Sequence, residues 1–310
     1  MVTEYPWISV SGFGAHIKST PRTLVIQKKN IIEEYPLPEV KTLLVIGGHT
    51  LHTTAVLNLL RHGACISFFE ADGTPAGTIR PNADRNLMEL YEFQKTIPRQ
   101  RFAVALARTS VQARIFFMER EEELNNIRLF YEGELEFLRK GREELAFLIK
   151  LDEIRRLHRL TSDMYYEIMS RNLPADLGFR RRGSRPHLDP VNAMLSFGYA
   201  MLFGNCIVAA IGAGLDPDGG LLHDGKDSLI HDLIDPLKPA MVDTVVFRLA
   251  RESLHEEDYE LTPGRCILSD DLIRELTARL HASINPDIIN RLVISLVTSI
   301  RTGSEFTVQY

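Results

Sequence analysis

Apolar positions in the first eighty residues come in short β-branched or aromatic runs, at Trp7 to Ser11, Thr23 to Gln27, Thr42 to Gly48 and Cys65 to Ala71. Runs of this length, separated by turn residues, predict strands. One helical period interrupts them: over Leu51 to His62, the residues Leu51, Ala55, Val56, Leu59 and Leu60 share a stripe that Thr50 can cap and Gly63 can close. Asp72 to Asn86 is rich in Gly, Pro, Asp and Asn, and beyond it the period turns helical. Helices are predicted over 86–97, through a long Ala-, Arg- and Glu-rich stretch from Arg99 to about Lys150, onward to Leu173, and again near 228–254, 269–283 and 286–301. Strands followed by helices predict an α+β chain: an N-terminal β-rich domain with a short helix over 1–85, and a C-terminal all-α domain over 86–310.

The run Val191 to Leu215 carries no charged residue and is long enough to cross a bilayer. Asn192, Ser196, Asn205 and four glycines interrupt it, and no second such run exists, so a core helix surrounded by others is the expectation. With 45% hydrophobic and 25% charged residues the composition is globular, which excludes disordered and collagen-like chains. The three cysteines, Cys65, Cys206 and Cys266, have no paired spacing. That excludes a cysteine zinc framework and points to the cytoplasm. A net charge of −5 excludes a non-specific nucleic-acid coat but not a local basic patch.

Candidate chemistry concentrates in Leu221 to Pro239. His223 stands at the end of an apolar stretch, Asp227 or Ser228 can cap a helix, and Asp232 and Asp235 are three apart on it. Residues at that spacing share a helix face. One imidazole and two carboxylates form a mixed nitrogen and oxygen set suited to manganese or magnesium; a core histidine with surface acids is the plainer alternative. The basic run Arg180, Arg181, Arg182 and Arg185, with His187, can hold phosphates or simply be a solvated loop. Leu215 to Gly220 lacks the oxygen spacing of a calcium loop and reads as a turn.

Ser184 to Ala250 closely resembles the core of the CRISPR-associated endonuclease/integrase family Cas-one. The resemblance rests on Arg-Pro-x-x-Asp-Pro-x-Asn at Arg185 to Asn192, Ser-Phe-Gly-Tyr at Ser196 to Tyr199, Gly-Leu-Asp-Pro at Gly214 to Pro217, Gly-x-Leu-His at Gly220 to His223, and Asp-Leu-x-Asp at Asp232 to Asp235. More loosely it extends back to Thr23. It implies a β domain that dimerises and contacts DNA, a helical catalytic domain, Mn²⁺ or Mg²⁺ as cofactor, and chemistry in which a DNA 3′-hydroxyl is joined to a repeat phosphodiester. It implies double-stranded DNA, a second copy and a Cas-two protein as partners. Carried over residue by residue, it places metal and catalytic roles on His223, Asp232 and Asp235, and DNA contacts on Arg182, Arg185 and Lys226.

The family's remaining ligand is a glutamate on a helix ending in an aromatic pair. Aligning that pair with Tyr165 and Tyr166 puts His158 at the glutamate's position. An imidazole can ligate a metal, but the site then carries one negative charge fewer, which disfavours Mg²⁺ more than Mn²⁺. Glu153, Asp163 and Glu167 could compensate only in another helix register. The resemblance therefore also allows a DNA-binding or assembly subunit whose chemistry is altered or lost.

Overall fold

The structure is a computed structural model that describes Tyr5 and residues 7–81, 85–184, 186–252 and 254–308. It divides into two compact units. The first comprises Met1–Ile97, Phe203–Gly219 and Ile289–Glu305; the second comprises Pro98–Leu202, Gly220–Ile288 and Phe306–Tyr310.

Eight short strands build the first unit: β1 (Trp7–Ser11), β2 (His16–Ser19), β3 (Thr23–Lys28), β4 (Ile31–Pro36), β5 (Thr42–Ile46), β6 (Thr50–Leu51), β7 (Cys65–Phe69) and β8 (Pro75–Ile79). They form two four-stranded sheets, ordered β1-β5-β7-β8 and β4-β3-β2-β6. In the first, β1, β5 and β7 run parallel and β8 antiparallel. Helix α1 (Thr53–Arg61) makes the crossover between β5 and β7. The period of two sends Ile8, Val10, Ile17, Leu24, Ile26, Leu43, Val45 and Ile66 into one core, which Ala55 and Leu59 of α1 complete. Thr50 does not cap α1, because it pairs with His16 as part of β6; His52 takes the cap position without a side-chain bond. Gly63, at φ 81°, ends the helix in the left-handed region as its sequence position predicts. Helix α2 (Arg85–Thr96) follows.

The second unit is helical: α3 (Arg99–Asn125), α4 (Glu134–Glu144), α5 (Leu151–Ser170), the first half of α6 (Pro190–Gly212), α7 (Ser228–Ile234), α8 (Thr244–Glu252) and α9 (Asp270–Ser283). A two-stranded hairpin, β9 (Tyr259–Leu261) with β10 (Cys266–Leu268), precedes α9. A final helix, α10 (Pro286–Thr302), lies mostly in the first unit. A π-helical turn, Pro239–Asp243, leads directly into α8. Helix α6 is long and apolar enough to span a membrane, yet half of its most apolar window is buried inside the chain. In the second unit Gly198 of α6 faces Val242 of the π turn so closely that an added Cβ would lie 2.4 Å from a Val242 methyl. Any larger residue there would separate the two elements.

Helix α5 carries Ile154, His158, Thr161, Tyr165 and Ile168 on its buried face. This spacing of four, three, four and three is the core stripe of an amphipathic helix. The stripe fixes the register, so His158 points inward and Glu153, Asp163 and Glu167 remain exposed.

Candidate active site: two carboxylates with different partners

Asp232 lies on α7 with its side chain fully buried. Its Oδ2 accepts from the amides of Leu221 at 2.6 Å and Leu222 at 2.8 Å, and its Oδ1 accepts from the His223 amide at 3.1 Å. The same Oδ1 accepts from His223 Nδ1 at 2.6 Å. One carboxylate thus ties down three consecutive backbone donors and one imidazole. The carbonyls of this turn are held from the opposite side: Arg99 donates to Leu221 and His223, and Arg155 donates to Leu222. Both arginines also pair with Asp224. Close packing finishes the turn, since a Cβ on Gly220 would meet the His223 carbonyl at 2.4 Å and the Ser228 side chain at 2.5 Å. Ser228 is occupied in that contact, its hydroxyl accepting from the Gly220 amide. Asp227, the other predicted cap, sits at the N-terminus of α7 at φ 54° and makes no side-chain cap bond.

His223 is consequently fixed by its own backbone and by Nδ1, while its side chain remains 43% exposed. The hydrogen bond it donates to Asp232 raises its pKa above the ordinary 6.5 against the opposing effect of burial. With Nδ1 donating to the carboxylate, Nε2 is the ring nitrogen left to carry chemistry, the tautomer logic of an oriented catalytic histidine.

Asp235, at the end of α7, is only 8% exposed and has a different set of partners. Arg114 Nη2 on α3 donates to Oδ2 at 3.0 Å, His158 Nε2 lies 2.7 Å from the same oxygen, and Lys238 Nζ donates to Oδ1 at 2.7 Å. Burial alone would raise the Asp235 pKa, but Lys238 and Arg114 outweigh it and hold the carboxyl well below its usual range. Burial pushes the His158 pKa below 6.5, against the pull of Asp235. The His158 and His223 rings face each other edge-on with centroids 6.3 Å apart, so the two carboxylate pockets meet at the two imidazoles.

A third buried acid supports the second pocket. Asp243, at the end of the π turn, is fully buried and accepts from Tyr165 at 2.7 Å and Tyr199 at 2.6 Å; Tyr199 in turn meets Tyr166 at 2.7 Å. Burial raises the pKa of Asp243 despite both tyrosine hydrogen bonds. Lys238 lies 5.0 Å above the Tyr199 ring and Arg114 5.9 Å from that of Tyr165, so both cations rest on aromatic faces.

Of the residues expected from the sequence, His158, His223, Asp232 and Asp235 are brought together. Lys226 lies exposed on the turn before α7. Arg182 is turned inward: it donates to Asn192 and Ser196 at the start of α6 and stacks over Tyr199, so its donors serve the fold. Arg185 lies outside the described residues. Asp216 is held in a turn by Gln94, which donates to its carbonyl and accepts from its amide. Arg114, Lys238 and the arginine clamp on the turn were missed. Arg114 had left a signal: it falls with Ala107, Val111 and Met118 on the buried face of α3, a charge in a core stripe.

The donor set does not fit a divalent ion. Asp232 has spent both oxygens on donors, and among the described residues no three His, Cys, Asp or Glu side chains are arranged to hold a metal. Asp235 already balances a guanidinium that is 3% exposed and a lysine that is 19% exposed. An ion on Asp235 would stand within about 4 Å of Arg114, where a double and a single charge repel by about 8 kcal/mol at an effective dielectric constant of 20. A glutamate at position 158 would offset that repulsion; the neutral imidazole does not.

The chain thus combines an imidazole on a buried carboxylate, cations around a second one, a strand-rich unit and a helical one. The family described as CRISPR associated protein Cas1 matches residues 8–282. A relative from Methanospirillum hungatei JF-1 that bears the Cas1 name is 39% identical over 96% of this chain and 99% of its own. The chain belongs to the Cas1 family. Its fold is similar to that of a casposase bound to an integration product, with a TM-score of 0.85 and 17% identity over 98% of this chain and 99% of that one. It is similar also to a chain of a partial Cas6-RT-Cas1–Cas2 complex, with a TM-score of 0.78 and 18% identity over 98% of each.

Proposed function

We propose that this chain processes duplex DNA in CRISPR spacer acquisition, presenting a phosphodiester to the α5–α7 centre for attack by a DNA 3′-hydroxyl or by water. The observation that carries the reading is the oriented, half-exposed His223 near the buried Arg114 and the partly exposed Lys238. Phosphoryl transfer needs a group that moves a proton and fixed positive charge near the phosphorus. His223 Nε2 takes the proton from the attacking hydroxyl, or its imidazolium returns one to the leaving oxygen. Lys238, the more exposed of the two cations, offsets charge on the phosphoryl oxygens. Exposed Arg180, Arg181 and Lys226 supply backbone contacts that position the duplex. The likeness to the casposase product complex and to the Cas1–Cas2 assembly supports DNA as substrate and a Cas2 protein as partner; a second copy as a further partner and a cytoplasmic location belong to the same reading.

A second reading, a DNA-binding or assembly subunit with altered chemistry, is favoured by His158 and by the occupied carboxylates. The two separate in a strand-transfer assay with a 3′-hydroxyl duplex and a repeat target. Joining or nicking that His223→Ala abolishes supports the first. Duplex binding without either, with activity gained on His158→Glu, supports the second. A chain that neither binds nor processes duplex DNA contradicts both.

A further inference from the structure

We infer that Arg114, with Lys238, takes the place of the divalent ion: the centre is neutralised by the chain's own cations and holds no Mn²⁺ or Mg²⁺. This deepens the reading of the centre as the place a phosphodiester enters, and it rests on that reading only for its consequence, not for the ion count. Four observations converge. The Arg114 guanidinium contacts Asp235 from inside the protein at 3% exposure, where it cannot swing away to admit an ion without leaving the core. The same guanidinium lies 3.3 Å from His158 Nε2, so it covers the imidazole as well as the carboxylate. Lys238 takes the other Asp235 oxygen, and Asp232 gives all its acceptor capacity to the turn and His223. Asp235 already faces two resident cations, so an added ion would bring further positive charge against them in a buried site.

His158 is the residue that makes this arrangement self-consistent. A carboxylate there would sit beside Asp235 as a second buried negative charge and would call for a further cation. An imidazole adds no negative charge beside Asp235, which leaves Arg114 and Lys238 sufficient.

The test counts ions on the full chain. Mn²⁺ is titrated in and its free aquo signal followed by electron paramagnetic resonance, for wild type, Asp235→Asn and the double variant His158→Glu with Arg114→Gln. The expected result is the same ion count for wild type and Asp235→Asn, and one additional ion per chain in the double variant. A wild-type ion that Asp235→Asn removes overturns the inference. So does a folded double variant that takes up none, since the guanidinium would then not be what excludes the metal. Because the double variant is the one at risk of not folding, wild type is also melted in Mn²⁺ and in EDTA. Identical Tm values support the inference, and a Mn²⁺-dependent rise that Asp235→Asn abolishes overturns it. Strand joining that strictly requires Mn²⁺ overturns it while leaving the functional reading intact. Absence of DNA binding in both buffers sinks the functional reading, and the ion count then still decides the inference.

Discussion

Asp232 and Asp235 stand three residues apart on one short helix, both buried, and they solve the problem of a buried carboxylate in opposite ways. Asp232 is satisfied by dipoles: three backbone amides and an imidazole N–H. Asp235 is satisfied by whole charges on Arg114 and Lys238, with His158 between them. A carboxylate held by amides shapes the backbone around it, and here it shapes the turn that carries His223. A carboxylate held by cations sets the charge of its surroundings, and here it keeps two positive groups next to that histidine. The helix therefore divides position from charge between two neighbouring acids.

The largest effect should follow from breaking the charged pocket. Asp235→Ala leaves the Arg114 guanidinium buried without its counter-ion and should lower stability by about 3–5 kcal/mol, read by urea denaturation. The same pocket has an acid signature. A carboxyl held below its usual range contributes stability that is complete above that range and is lost as pH falls through it toward the folded value. Asp235→Asn should flatten that part of the pH–stability curve; an unchanged curve would remove Asp235 from the account.

Breaking the dipolar pocket should cost less and act locally. Asp232→Ala strips the acceptor from three amides next to a half-exposed residue that lets water in, so about 2–3 kcal/mol is expected. Hydrogen exchange should accelerate at Leu221, Leu222 and His223 ahead of the α3 and α5 core. The His223 pKa should also fall back toward 6.5 when followed by NMR. In wild type this raised pKa contributes stability that is complete below 6.5 and is lost as pH rises through the folded value. Asp232→Asn should abolish that dependence.

Smaller changes sharpen the contrast. Lys238→Met should cost about 1 kcal/mol, because Arg114 remains on Asp235 and Lys238 reaches solvent. Glu153→Gln and Asp163→Asn, on the exposed face of α5, should stay within about 0.5 kcal/mol of wild type in the same denaturation series.

Much of this was legible in the residues. The β1, β3, β5 and β7 runs announced themselves through β-branched and aromatic residues, whereas His158 was singled out by the family resemblance and its inward direction only by the packing of α5. The β2 run, His16–Ser19, was too short to signal, since Ile17 is its only buried residue. The β4 run was not predicted either, and it leaves Ile31 and Ile32 exposed at 66% and 59%. At the site, His223, Asp232 and Asp235 were found because they lie close in sequence. Their division of labour was not, because the partners that decide it come from far away: Arg114 is 121 residues from Asp235. Arg114 stands on the α3 core stripe as a signal that went unread, and only the folded chain shows which acid it serves.

The most direct test of that division is a double-mutant cycle between Arg114→Met and Asp235→Asn, measured by urea denaturation. If Arg114 is the resident counter-ion of Asp235, each single change should cost about 3 kcal/mol or more and the double change far less than their sum, a coupling of about 2–3 kcal/mol. Costs that add within about 0.5 kcal/mol would contradict the account.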